Sequence, residues 1–300
     1  MATTHQTTGA LALPRQGIRQ GSSFWSLLLR LRRSKVVVAC AIFLGLLVIA
    51  ALTAPLIAPD DPLAMQPAIR FQGPSLAHLC GTDEYGRDVL SRLIFGARIS
   101  LEVGIIAVGI SLFVGTILGL VAGYYRGALD MVISRVMDIL FAFPAILLAI
   151  ALMAVLGSNI RNVMIAIGIV NTPIFMRVAR ASALSVRSTQ YVEAARALGA
   201  GDARILRWHM LPNIVAPLIV QATLAFAWAI IAEAALSFLG LGTQPPTPSW
   251  GIMLSKGREF MDQSPAVVVF SGVAIILTVL SLNILGDGLR DALDPQMKLD

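Results

Sequence analysis

A chain of 300 residues, 57% of them hydrophobic and only 13% charged, with a mean hydropathy of +0.79, is not a soluble globular chain. Its net charge of +6 lies in clusters beside apolar runs, not in basic stretches interleaved with aromatics. That reads as membrane topology and excludes a nucleic-acid footprint.

In chain order, residues 1–23 are rich in Thr, Gln, Gly and Ser and predict a disordered tail. Phe24–Leu31 (FWSLLLRL) mixes aromatics and leucines beside arginines, the pattern of a helix lying on the membrane surface. Six apolar runs follow, at 36–58, 99–123, 132–157, 160–178, 213–240 and 266–286. Each is close to the roughly 20 residues that cross a bilayer core. None shows barrel-type alternation, so the prediction is an all-α integral membrane protein of six transmembrane helices. The first run is too long for a typical cleaved signal and is read as an anchor. The units are thus a tail at 1–35, a six-helix domain at 36–289 and a short tail at 290–300.

Between the first two runs, Gly81-Thr82-Asp83 reads as a turn, with Thr82 or Asp83 capping a helix near Glu84. His78, Asp83, Glu84 and Asp88 are not spaced to face three ligands together, and no metal site is assigned. Cys40 and Cys80 fall in different segments, and no disulfide is expected. In the second run Gly115, Gly119 and Gly123 make a small-residue face for helix packing, within the bundle or against a second subunit. Asp130, Arg135 and Asp138 begin the third run, where Arg135 and Asp138 share a face as an ion pair. The fourth run is the shortest and is interrupted by Asn171-Thr172-Pro173.

Orientation follows from the arginines. Those before the first run, and Arg177 to Arg207 around the fourth-to-fifth connection, belong in the cytoplasm by the positive-inside rule. Four crossings lie between them, and with six spans both termini are inside. In the fifth run Glu233 is an isolated acid near the outer end, expected to be solvated there and read as a pathway or gate candidate. The Pro-rich stretch that follows it, with Pro245, Pro246 and Pro248, predicts a stiff outer loop.

The connection between the fourth and fifth runs is the most informative. In EAARALGAGDARILRWHMLP, Glu193–Pro212, a helix with Tyr191, Val192, Ala195 and Leu198 on one face ends at Gly199. Asp202 is placed to cap a second helix, Ala203–His209, with Ile205, Leu206 and Met210 as its apolar face. Pro212 suits the first turn of the next helix, and small Ala194 and Ala195 allow close approach of another surface.

This loop closely resembles the EAA loop of permease subunits from bacterial ATP-binding-cassette importers, through Glu193-Ala194-Ala195, Gly199 and His209-Met-Leu-Pro212. The segments GTDEYGRDVLSRLIFGARISL, GLGTQPPTPSWG and LNILGDGLRDALDP resemble the C-type permeases of dipeptide, oligopeptide, nickel and glutathione importers. The resemblance implies a cytoplasmic coupling helix between helices 4 and 5 at Glu193, Ala194, Ala195, Gly199, Asp202, His209 and Pro212. It implies as partners a second, homologous permease, two cytoplasmic ATPase subunits and an extracytoplasmic binding protein, in the bacterial inner membrane. Peptides are the first expectation for the solute, with glutathione or nickel chelates as alternatives. The chain has no G-x-x-x-x-G-K-[ST], so ATP and Mg²⁺ are expected on the partners and neither a cofactor nor a catalytic site in this chain. A secondary transporter, the more distant alternative, would need a matched pair of broken segments, and only Asn171–Pro173 hints at one.

Overall fold

The computed structural model of the chain describes residues 34–293. The tail and the interfacial segment expected at 24–31 lie outside the described residues. Among the described residues, five helices are long and apolar enough to cross a membrane, and a bent pair makes a sixth span. The first is α1, Lys35–Leu52, and the second is α2, Val89–Tyr125. The bent pair is α3, Gly127–Phe141, with α4, Ala145–Leu156, meeting at 91°. Helix α5, Ile160–Arg187, is the fourth span. A short cytoplasmic helix α6, Gln190–Ala197, precedes the fifth span α7, Leu211–Phe238. An outer helix α8, Trp250–Glu259, then leads into the sixth span α9, Ala266–Leu293.

Pro144 lies within the apolar run at 132–157, where a proline kinks or starts a helix, and the third span is not one helix. It breaks at Ala142–Pro144, because the residue before a proline is pushed out of helical geometry. The fourth span differs the other way. Asn171-Thr172-Pro173 does not interrupt it, and α5 runs on to Arg187 with Pro173 inside.

The register of α2 on α5 shows that the bent pair must cross. A Cβ on Gly115 would lie 2.5 Å from the Cβ of Phe175, one on Gly119 2.6 Å from that of Ala179, and one on Gly123 2.7 Å from that of Ala183. Farther out, a Cβ on Gly168 would lie 2.9 Å from that of Ile110. Contacts that advance together along both helices mean parallel packing. The intervening chain must return across the bundle, which makes six crossings with both ends on one face. The glycine face thus packs within the chain. Without apolar driving force between helices in lipid, close backbone approach supplies the attraction.

Ion pairs fasten the broken span to α5 at its inner half. Arg180 forks onto Asp130 at 2.5 and 2.7 Å, and Arg177 donates to Asp138 at 2.8 Å while stacking 4.0 Å over Phe141. Asp138 therefore pairs across helices and not with Arg135 on its own helix, as the spacing had predicted.

Outside, α2 starts ten residues before the apolar run. Its cap is Asp88, which accepts from Ser91 N at 2.7 Å and Ser91 Oγ at 2.8 Å, rather than Thr82 or Asp83.

Gly119→Leu should destabilise the purified protein by about 1–3 kcal/mol from overpacking. Gly109→Leu, on the same helix with nothing within 4 Å of an added Cβ, should be nearly neutral. Thermal unfolding in detergent checks this, and equal loss in both variants would contradict the packing argument.

Candidate functional site

The cytoplasmic connection between α5 and α7 is built as a rigid turn. Helix α6 ends in a Schellman motif: Gly199 at φ +80° donates to the Arg196 carbonyl at 3.0 Å, and Ala200 donates to that of Ala195 at 3.0 Å. Nothing lies within 4 Å of a Cβ at Gly199, so the glycine is required by its dihedral and not by space. The chain resumes as one α-helical turn at Asp202–Arg204, widens to a π-helix at Ile205–Met210, and runs unbroken into α7. Pro212 sits in the first turn of α7, where its missing N–H is tolerated.

Asp202 does not cap this helix. Gly201 holds that position, and the Asp202 carboxylate instead accepts the Tyr124 hydroxyl at 2.6 Å. Arg196 lies 5.4 Å over the same Tyr124 ring. Both arms of the loop thus grip the inner end of α2, a role for Tyr124 that its boundary position beside Tyr125 and Arg126 hinted at and that the reading of the sequence missed.

The apolar residues divide between two faces. Val192, Ile205 and Met210 are fully buried against the bundle, as their periodicity predicts. Leu198 is 89% exposed, Trp208 68% and Tyr191 43%, so the predicted single face of α6 holds only in part. Glu193 and Ala194 are exposed, and Ala195 and His209 are half-buried. Burying the exposed side chains would contribute roughly 25 cal/mol per Å².

At the outer end, Glu233 is fully buried instead of solvated. Ser237 Oγ donates to its Oε1 at 2.7 Å, Thr243 Oγ1 lies 3.5 Å from the same oxygen, and Thr243 N donates to Ser237 Oγ at 3.2 Å. A Cβ on Gly242 or Gly251 would clash with Ser237, so the loop lies directly on α7. Trp250, buried against Gly96, donates its Nε1 to the Leu93 carbonyl at 3.0 Å. Glu233 thus ties down the outer loop. Apolar α7 set its position; only the loop folding back removed the water.

The acidic loop before α2 is ionic. Asp83 accepts from Arg87 Nε at 2.7 Å, with Arg92 Nε at 3.5 Å. Burial, and then Asp83 next to it, push the Glu84 carboxyl above its ordinary range. Burial, with Asp88 adding to it, likewise raises the Cys80 thiol. Asp60, His78 and Asp88 come within 4.8 Å of one another, a grouping different from the one spacing suggested, and Asp88 is already committed to its cap.

The geometry is that of a multi-span helical membrane protein with parallel glycine-packed helices and a rigid inward turn. The chain belongs to the family of binding-protein-dependent transport system inner membrane components, whose family model matches residues 115–299. A second model, the N-terminal transmembrane domain of oligopeptide transport permease C, matches residues 23–74. Among similar proteins is the dipeptide transport system permease of Alkalihalophilus pseudofirmus, 49% identical over 90% of this chain and 88% of that one. The glutathione transport system permease of Pectobacterium atrosepticum is 46% identical over 92% of this chain and 91% of that one. The di/tripeptide transport system permease of Pseudomonas aeruginosa is 48% identical over 86% and 87%. In fold, the chain is similar to the MetNI methionine ABC transporter in its inward-facing conformation, with a TM-score of 0.56 at 18% identity, covering 68% of this chain and 97% of that one.

Glu233→Ala leaves Ser237 and Thr243 without their acceptor and should speed proteolysis of the 239–250 loop. Glu233→Gln keeps an acceptor oxygen and should leave the cleavage rate near that of the parent. Limited proteolysis in right-side-out vesicles distinguishes them.

Proposed function

We propose that the chain is a peptide-passing permease subunit of an ATP-driven importer in the bacterial cytoplasmic membrane. In this reading it pairs with a second, homologous permease, receives di- or oligopeptides from an extracytoplasmic binding protein, and docks on two cytoplasmic ATPase subunits. ATP and Mg²⁺ belong to those ATPases, and this chain carries out no catalysis and holds no cofactor.

The observation that carries this reading is the exposed apolar trio Tyr191, Leu198 and Trp208 on a turn whose other face is locked to the bundle. Apolar side chains held in water by a rigid scaffold suit a partner's cleft. Closure of the ATPase pair would press on this surface. Because the turn is gripped by Tyr124 and continuous with α7, the push becomes helix tilting rather than local bending. Exposed Glu193 and Ala194 lie on the same short helix as Tyr191 and, in this reading, also meet the partner. Peptide is favoured by the dipeptide and di/tripeptide permeases among the similar proteins. Glutathione, itself a small peptide, is the second reading, favoured by the glutathione permeases among them.

Leu198→Asp should lower recovery of the ATPase subunits with the tagged chain by at least about tenfold, the effect of ~1.4 kcal/mol lost at the interface. Gly199→Val, strained by about 1–2 kcal/mol in the left-handed region, should insert normally yet abolish uptake. Mass spectrometry of the purified complex and uptake of a labelled dipeptide read both. Full recovery with normal uptake in the two variants would sink the docking assignment.

A further inference from the structure

Between the broken third span and helices α5 and α7 lies a cleft of about 340 Å³, within the size range of small-molecule sites. Phe141 and Phe143 line it from the break, Asn171 from α5, and Gln221 and Trp228 from α7. Neither charged type, acid or base, is among its lining residues.

Two observations mark it as more than a packing gap. Asn171 is only 3% exposed, near the middle of α5, and its Nδ2 has no hydrogen-bond partner. Buried donors are normally satisfied, so an unpaired amide beside a cleft points to a ligand or solvent that enters it. The second is the break itself. Helix α4 has 12 residues, so Ala142–Pro144 lies about 18 Å along its axis from its outer end, between the two halves of the span. Non-helical backbone at that depth is tolerated only where protein covers it or water reaches it. Phe141 and Phe143 flank the break and are half-exposed on the cleft, 50% and 56%.

We propose that this cleft is the chain's half of the translocation path. The amides of Asn171 and Gln221 hydrogen-bond the peptide groups of the cargo backbone, while Phe141, Phe143 and Trp228 receive its side chains. A carboxamide matches a peptide group because each offers both a donor and an acceptor. The lining carries no charge, and the Arg177 guanidinium that stacks on Phe141 at its edge is neutralised by Asp138, so neither terminus of the cargo meets an unpaired charge. Transport requires contacts weak enough to leave. Such a site reads what all peptides share rather than one side chain. The assignment rests on the importer reading above and extends it to named residues.

The test uses the assembled transporter with Cys40 and Cys80 changed to Ser, carrying Gln221→Cys, Phe143→Cys or, as a control on α9, Ile276→Cys. Ile276 is 63% exposed and outside the cleft. A charged, water-soluble methanethiosulfonate should label the two cleft positions at least about tenfold faster than the control, and trialanine should slow that labelling. Asn171→Leu should raise the KM for trialanine uptake while the subunits still co-purify. Labelling no faster than at Ile276, or labelling that trialanine does not slow, overturns the assignment, as does an unchanged KM in a well-assembled Asn171→Leu complex. If that variant fails to assemble, the labelling result alone decides. Uptake that persists without the ATPases would instead overturn the importer reading, and it would leave the labelling result standing as a separate fact.

Discussion

The parallel seam between α2 and α5 is the constraint on which the rest of the bundle depends. Three glycines one helical turn apart bring the two backbones together, and no side chain fits between them. Because the helices run the same way, the chain between them must recross the membrane. That requirement turns a bent pair, ambiguous by length alone, into the third span. It also carries the ends of α2 and α5 to the same face, where Tyr124 meets Asp202.

The cytoplasmic turn inherits its stiffness from that meeting. A loop hung only from α5 and α7 would flex under load. Here a Schellman turn, a π-helical join without interruption into α7, and the Arg196–Tyr124–Asp202 contacts give it three attachments. Its exposed leucine and tryptophan are therefore presented in one arrangement before any partner arrives, which lowers the ordering cost of docking. The outer end is organised by the same means with different chemistry. There, Glu233 and Trp250 bind the Pro-rich loop onto α7 and α2.

Polar groups inside an apolar bundle are costly, and this chain places them sparingly. Two Arg–Asp pairs hold the broken span to α5. The uncharged amides Asn171 and Gln221 are left facing the cleft. The separation is physically consistent: the charges are paired and serve structure, and in the proposed path neutral donors stand where a solute passes.

Much was legible in the residues themselves. Apolar runs of about 20 residues determined an all-helical membrane chain, the arginine clusters determined its orientation, and Gly199 determined the turn, because each depends on local composition or dihedral preference. The loop's motif carried the family. Tertiary structure alone decided the rest. Both Pro144 and Pro173 lie within apolar runs, yet only Pro144 broke its span, by 91°, while α5 runs through Pro173 packed on α2. Asp138 and Asp202 found partners on other helices, beyond the reach of any i, i+4 rule. Glu233 lost its water to a loop that folds back from beyond its own helix. Burial, pairing and the cleft arise from contacts between segments distant in the chain, and no local pattern encodes them.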